Sequence, residues 1–485
     1  KRDCKPYEEA ILKIKSTHEQ YEKEVEETRK RVEETTKNAG VYVSEKKAIP
    51  KEEKTKKQCE ETVNQVEVCT VEKKKTPKEV NSKRMTYGEY LKNKREGVEY
   101  TKVCLNKDDV KKYTYTIPEG VNVLETVCFD GCFSGCSSLS SVSIPTTVSI
   151  MGDGCFSRCS SLLSIVIPST VSVISNNCFS GCSSLSLITI PPTVSEIGDN
   201  CFDGCLSLST VSCPSTLGFI SRGCFNGCSS LSSITIPSSV SVIGESCSSR
   251  FSSQSSDGSF SGCRSLSSVT IPSTVSVIGN YCFSGCTSLS SIIIPPSISK
   301  INEGCFYACH SLSSITIPSS VSLIGEKCFS EFSSQSSKGC FSECSSLLSI
   351  SIPTSVCVIG ERSFKGCLSL SSVSIPSSVS VISAMCFAGC RSLSSISIPT
   401  SVNEIGSCCF KGCTSLSVIS IPSSVTFIGE KCFDDCSNLS SLSIDPDNKI
   451  YSMVDNVVIK KETKEMVIVV RSEERRVGKE CRSRW

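Results

Sequence analysis

The sequence predicts an α/β solenoid, a stack of short coils carrying a parallel sheet, preceded by a charged helical or α+β module. Two observations predict it. The first is a proline register, nearly always Ile-Pro, at Pro118, Pro145, Pro168, Pro191, Pro214, Pro237, Pro272, Pro295, Pro318, Pro353, Pro376, Pro399 and Pro422, with most steps 23 residues and two of 35. Aligned on it, the segments share one unit, I-P-x-x-V-x-x-I-G-x-x-C-F-x-x-C-x-S-L-S-x-I-x. A unit so short cannot bury its own apolar face, so a fixed period of roughly 20–50 residues means coils stacked on copies of themselves. The second observation is an abrupt change of composition near Tyr113. Residues 1–112 hold 29 of the 51 Lys and Arg and 23 of the 49 Asp and Glu, whereas the repeats are polar through hydroxyl groups.

Residues 7–37 read as a helix, because Ile11, Ile14, His18, Tyr21, Val25, Thr28 and Val32 follow a three-four spacing with charged residues between them. A short coiled coil and a helix packed on its own domain both fit that seam. Residues 41–100 are rich in Lys and Glu, and Lys73-Lys74-Lys75 reads as a solvated charge run. Together, residues 1–112 form the charged N-terminal module. Lys1 is not a methionine, which fits a chain that lacks its first residues.

The array spans 113–446. Its segment L-S-x-I-x-I-P reads as a short strand, with Leu139, Val142 and Ile144 facing inward and Ser141 and Ser143 outward. Proline then ends the strand, where a missing N–H costs least. A glycine follows at Gly152, Gly198, Gly244, Gly279, Gly325, Gly360, Gly406 and Gly429, as suits a sharp turn with positive φ. An aromatic column comes next: Phe129, Phe156, Phe179, Phe202, Phe225, Phe283, Phe306, Phe364, Phe387, Phe410 and Phe433.

Thirty of the 35 cysteines lie between Cys128 and Cys436, mostly at two fixed positions of the unit. That regularity points to buried columns of thiols, since cysteine packs as a small hydrophobe. Stacked coils place equivalent residues about 4.8 Å apart, so a disulfide between neighbouring coils is also within reach. Zinc fits poorly, because the spacing is C-F-x-x-C and the whole chain has two histidines, His18 and His310.

This pattern resembles the BspA-like, or treponemal-type, leucine-rich repeat family, with Cys where that family often has Ala before the Phe, as at Cys282-Phe283. The resemblance covers about residues 113–470. It implies a right-handed array of coils with a parallel sheet on the concave face, and it implies association with surface antigens and adhesion in bacteria and parasitic protists.

Two coils carry 12-residue insertions, CSSRFSSQSSDG at 247–258 and CFSEFSSQSSKG at 328–339. They share F-S-S-Q-S-S, which makes Phe251, Gln254, Phe332 and Gln335 candidate binding-loop residues, with tolerated hydrophilic elaboration copied by segmental duplication as the plainer reading. Residues 447–470 read as a hairpin-like variant repeat or cap, with turns at Asp455-Asn456 and near Thr463. The last fifteen residues, RSEERRVGKECRSRW, resemble a translated sequencing adapter and hold the only tryptophan, so 471–485 is set aside as an artefactual tail.

The outward strand positions form a two-row ladder of hydroxyls: Ser141 and Ser143, Ser233 and Thr235, Ser268 and Thr270 in the first half of the array. Ser314 and Thr316, Ser372 and Ser374, Ser395 and Ser397 continue it in the second. Each hydroxyl both donates and accepts, so the ladder is the candidate interaction surface for a protein or cell-surface ligand, and also fits a glycan. Val166, Leu187, Ile293 and Val418 interrupt it with apolar contacts.

Other classes find little support. A nucleic-acid ligand needs a basic stripe with stacking aromatics, which the repeats lack. No stretch reaches the ~18–20 apolar residues of a membrane span. There is no phosphate loop, dinucleotide fingerprint or metal-spaced cluster, and His310 stands alone in the array, so neither catalysis nor a cofactor is expected. The sequence therefore points to a non-enzymatic binding protein engaged in protein-protein interaction or adhesion. Alternatives are an intracellular scaffold dimerised by the N-terminal helix and, more remotely, a hydroxyl-ladder glycan or ice binder. Cell surface and cytoplasm both remain open as locations, as does the oligomeric state.

Overall fold

The computed structural model describes residues 113–121, 123–124, 132–244, 258–325, 338–454 and 457–469. The chain divides into two units, Lys1–Asn81 and Ser82–Trp485, and every described residue belongs to the second. The helix expected at 7–37, the two F-S-S-Q-S-S loops and the tail at 471–485 lie outside the described residues. Among the described residues there is no helix. They form the expected parallel-strand solenoid of about 13 turns with about 23 residues per turn.

Nearly every described coil contributes two short strands, the exception being the coil at 268–270, where an isolated bridge from Thr235 to Thr270 stands in for the first. One is the three-residue segment before the proline, whose middle side chain is buried and whose two flanking side chains are exposed, as in Ser233–Thr235 and Ser314–Thr316. The other is a two-residue segment four or more residues after the proline, as in Val173–Ile174. Between them the proline carbonyl accepts the N–H of the following Val, for instance Val148 N–H to Pro145 O at 3.1 Å.

The strands pair in parallel and in register from coil to coil, but not uniformly. From Ser291 onward, strands Ser291–Ile293, Ser314–Thr316, Ser349–Ser351, Ser372–Ser374, Ser395–Ser397, Val418–Ile421 and Ser441–Ile444 make one seven-stranded sheet. Before it, the three-residue strands join only in pairs: Thr114–Thr116 with Ser141–Ser143, Ser164–Val166 with Leu187–Thr189, and Thr210–Ser212 with Ser233–Thr235.

The core runs through both regions without a break. Thirteen phenylalanines from Phe133 to Phe433 stack ring on ring, with centroids 5.0–5.7 Å apart and interplanar angles of 4–13°. Tyr115 closes the first end, edge-on to Phe133 at 5.2 Å. Burial of each ring stabilises the fold by about 1.5–3 kcal/mol, repeated coil after coil.

The structure corrects the sequence assignment of this column at three places. Phe133, four residues after Phe129, is the ring that stacks on Phe156. Phe260 and Phe341 fill the two coils that carry insertions. The signal for both was present: after each insertion the unit resumes as Ser259-Phe260 and Cys340-Phe341.

A second correction concerns glycine. Of the column expected to need positive φ, only Gly244 and Gly325 have it, at 76° and 68°. Gly198 is there for space: a Cβ on it would lie 2.5 Å from the backbone N of Asn176 in the preceding coil. Positive φ recurs instead between Phe and the second Cys, at positions such as Gly181 and Gly227.

At the far end, Tyr451–Val454, Val457–Lys460 and Met466–Val469 form an antiparallel three-stranded sheet. The buried Asn448 side chain fastens it to the array. Its Nδ2 donates to the carbonyls of Pro422 at 3.0 Å and Val425 at 2.9 Å, while its Oδ1 accepts from the N–H of Tyr451 at 2.8 Å. The Tyr451 hydroxyl in turn accepts the N–H of Ile428 at 3.0 Å.

Candidate binding face

Serine and threonine occur at many positions of the coil, and their hydroxyls have two different fates. At several positions the hydroxyl donates to a carbonyl of the preceding coil. Two residues after the proline, Thr170 reaches Val148 O at 2.6 Å and Ser355 reaches Val321 O at 2.7 Å. Just before the strand, Ser232 reaches Ser209 O at 3.3 Å and Ser371 reaches Leu348 O at 3.2 Å. These hydroxyls hold coil to coil and are unavailable to a ligand without a loss of that bond.

The two outward strand positions behave otherwise. Ser141, Ser143, Ser233, Thr235, Ser268 and Thr270 are exposed. So are Ser314, Thr316, Ser372, Ser374, Ser395 and Ser397. None of these hydroxyls bonds to a described protein group. Ser349 and Ser351, beyond the ladder drawn from the sequence, stand in register with Ser372 and Ser374 on the same face. The pattern S-I-S-I-P was there to mark them.

Apolar side chains share the face unevenly. Leu163 is 57% exposed, Val166 73% and Leu187 58%, all on two adjacent coils of the first region, with Val166 opposite Thr189 and Leu187 opposite Ser164. In the seven-stranded sheet, Ile293 is 80% exposed and Val418 50%, and Leu348, just before Ser349–Ser351, is 57% exposed.

The cysteines are excluded from this face. Both columns are buried apart from half-buried Cys132 and Cys436 at the two ends, and none of the described cysteines from Cys155 to Cys436 is bonded to another cysteine. The second column does more than fill space: each thiol points at the carbonyl of the preceding coil's Phe, as Cys182 Sγ to Phe156 O at 3.1 Å and Cys367 Sγ to Phe341 O at 3.1 Å. The first column admits serine at two coils, where the buried Ser259 hydroxyl donates to Ser221 O at 2.9 Å and the buried Ser363 hydroxyl to Gly360 O at 2.7 Å. Burial pushes the thiols of Cys263, Cys344 and Cys390 up to about 12, far from the thiolate form that reacts or binds metal. Among the described residues, no group of three or more His, Cys, Asp or Glu could hold a metal ion.

His310 is exposed, and its Nδ1 lies 2.9 Å from the Glu343 carbonyl. The candidate loop residues Phe251, Gln254, Phe332 and Gln335 lie outside the described residues. Where the chain returns from the insertions, Gly258 and Gly339 press against the carbonyls of Tyr281 and Arg362, leaving no room for a side chain. Beside them Tyr281 O–H donates to Glu303 Oε1 at 2.8 Å, and Lys338 Nζ sits 4.4 Å from the centre of the Tyr307 ring.

The fold and its repeat chemistry define a leucine-rich repeat solenoid. The family model for the BspA type leucine rich repeat region matches residues 126–256, 253–338 and 334–455, and the chain belongs to that family. Among solved structures, a leucine-rich repeat protein from Bacteroides ovatus ATCC 8483 is similar at 30% identity over 68% of this chain and 86% of that one, with a TM-score of 0.53. A leucine rich cell surface protein from Faecalibacterium prausnitzii A2-165 matches at 26% identity over 71% of this chain and 89% of that one, with a TM-score of 0.46. No curated protein matches. No helix among the described residues is long and apolar enough to cross a membrane.

Proposed function

We propose that this chain is a non-enzymatic binding protein that uses the face of the three-residue strands for protein-protein interaction or adhesion. One observation carries the reading. On a solenoid where the hydroxyls two residues after the proline and just before the strand are consumed in coil-to-coil hydrogen bonds, the two outward rows of this strand face are exposed and make no bond to a described group. Exposed Leu163, Val166 and Leu187 add the apolar contact area from which interface cores are built. Burial and hydrogen bonding of the cysteines leave them a structural role, and the family is one of repeat scaffolds.

The test is binding of the full chain to whole cells and to immobilised extracellular proteins, comparing Leu187→Glu and Thr316→Glu with Lys411→Glu, an exposed position away from the strands. The face variants are expected to lose binding while the control keeps it. Equal retention by all three overturns the assignment of the face.

A further inference from the structure

We propose that the middle of the seven-stranded sheet, from Ser314–Thr316 to Ser395–Ser397, binds an extended, uncharged glycan lying across the strands. This rests on the strand face being the binding face and adds the class of ligand.

Four consecutive strands, Ser314–Thr316, Ser349–Ser351, Ser372–Ser374 and Ser395–Ser397, carry a hydroxyl at both outward positions. All of these residues are exposed and none of the hydroxyls has a partner among the described residues. Pairing keeps them in line: Thr316 stands opposite Ser351, Ser351 opposite Ser374, and Ser374 opposite Ser397. The panel has edges, since exposed Ile293 replaces the hydroxyl on one side and exposed Val418 on the other. It presents no charged side chain at the outward positions, so nothing in it compensates an ionic ligand. The basic residues that lead into these strands, His310 and Arg391, lie several residues before them in sequence.

A single hydroxyl pair formed in competition with water contributes little, so a useful ligand must engage several strands at once. That requirement selects on repeat length. The rows step by the strand spacing of about 4.8 Å, whereas an extended peptide presents same-side groups about 6.6–6.8 Å apart and falls out of step within two or three coils. A pyranose ring in an extended β-linked chain spans about one strand spacing and offers hydroxyls along both edges. Such a chain keeps step with the panel, one sugar per coil, with its two edges over the two rows.

The experiment is calorimetric titration of the full chain with cellohexaose, a straight β-linked hexasaccharide. The comparators are maltohexaose, which has the same sugar in a curved chain, and polygalacturonate, which is extended but anionic. Cellohexaose is expected to bind at least about tenfold more tightly than maltohexaose. The triple variant Thr316→Val, Ser351→Ala, Ser374→Ala should weaken it by about tenfold or more with an unchanged melting temperature, because the substituted groups are exposed and unbonded. Absence of cellohexaose binding, equal binding of maltohexaose, stronger binding of polygalacturonate, or an unaffected triple variant each overturns the proposal. If Thr316→Glu abolishes binding to cells while no neutral glycan binds, the ligand class falls and the binding face stands. If neither responds to face substitutions, the binding face itself falls.

Discussion

The first half of the solenoid and the second are built from one repeat and yet differ in how their strands join. Up to Ser233–Thr235 the three-residue strands pair two by two, and past Ser291 they form one continuous sheet of seven. The Phe stack and the thiol-to-carbonyl bonds of the second cysteine column cross both regions, including both insertions, where Cys263 still reaches Phe225 O at 3.2 Å and Cys344 reaches Phe306 O at 3.1 Å. The interior columns therefore hold the coils in register even where sheet hydrogen bonding lapses. The face is free to vary because it carries little of that load, and it does: Val166 and Leu187 take outward strand positions in the first region where four consecutive strands of the second carry only hydroxyls.

The largest effect expected is alkaline unfolding of the whole array. The folded-state thiols are raised, to about 12 for Cys263, Cys344 and Cys390, against about 8.5 in an unfolded chain. A raised pKa means that the folded state holds more protons, so the stability contributed below about pH 8.5 is lost as pH climbs toward 12. Each such thiol costs about 1.4 kcal/mol per pH unit across that window. Circular dichroism against pH should show a steep loss beginning near pH 9, with both regions melting together; separate transitions would mean that the columns do not couple them.

Removing a ring from the stack comes next. Phe179→Ala in the first region and Phe387→Ala in the second should each destabilise by about 3–5 kcal/mol in urea unfolding. If sheet continuity rather than the stack governs stability, Phe179→Ala will cost markedly more than its counterpart.

A smaller contrast separates two glycines of the first region. Gly198→Ala forces a Cβ onto the backbone of Asn176 and should cost about 1–3 kcal/mol. Gly218→Ala meets nothing within 4 Å and should be neutral or stabilise by about 0.4–1 kcal/mol. Thermal melts of the two variants suffice, and equal losses would refute the close-approach explanation.

The smallest effect concerns one hydrogen bond. Cys390→Ala removes the thiol that reaches Phe364 O at 3.1 Å, leaves a small void, and should cost about 1–2 kcal/mol; Cys390→Ser should recover part of it. No recovery by serine would return this column to the role of simple filler.

Much of this was legible in the sequence. The period, the proline register, the inward Ile and Leu and the buried cysteines all follow from residue type at fixed spacing, because each apolar column recurs too often to be placed anywhere but inside. The candidate face was legible too, as outward positions of an alternating strand. Errors came where a local rule was applied to a non-local cause. Glycine was assigned to positive φ, whereas at Gly198 the neighbour is a coil 23 residues away. Phe129 was favoured over Phe133 because two C-F pairs follow each other there and only stacking on Phe156 separates them.

By itself the sequence determined the coil and its columns, since a repeated unit has one way to hide a repeated apolar set. Tertiary structure alone decided the fate of each hydroxyl. Ser232 and Ser233 are identical neighbours in the chain, and both are exposed. Stacking brings a carbonyl of the preceding coil within reach of Ser232 and none within reach of Ser233, so one hydroxyl holds the solenoid together and the other faces the solvent unbonded.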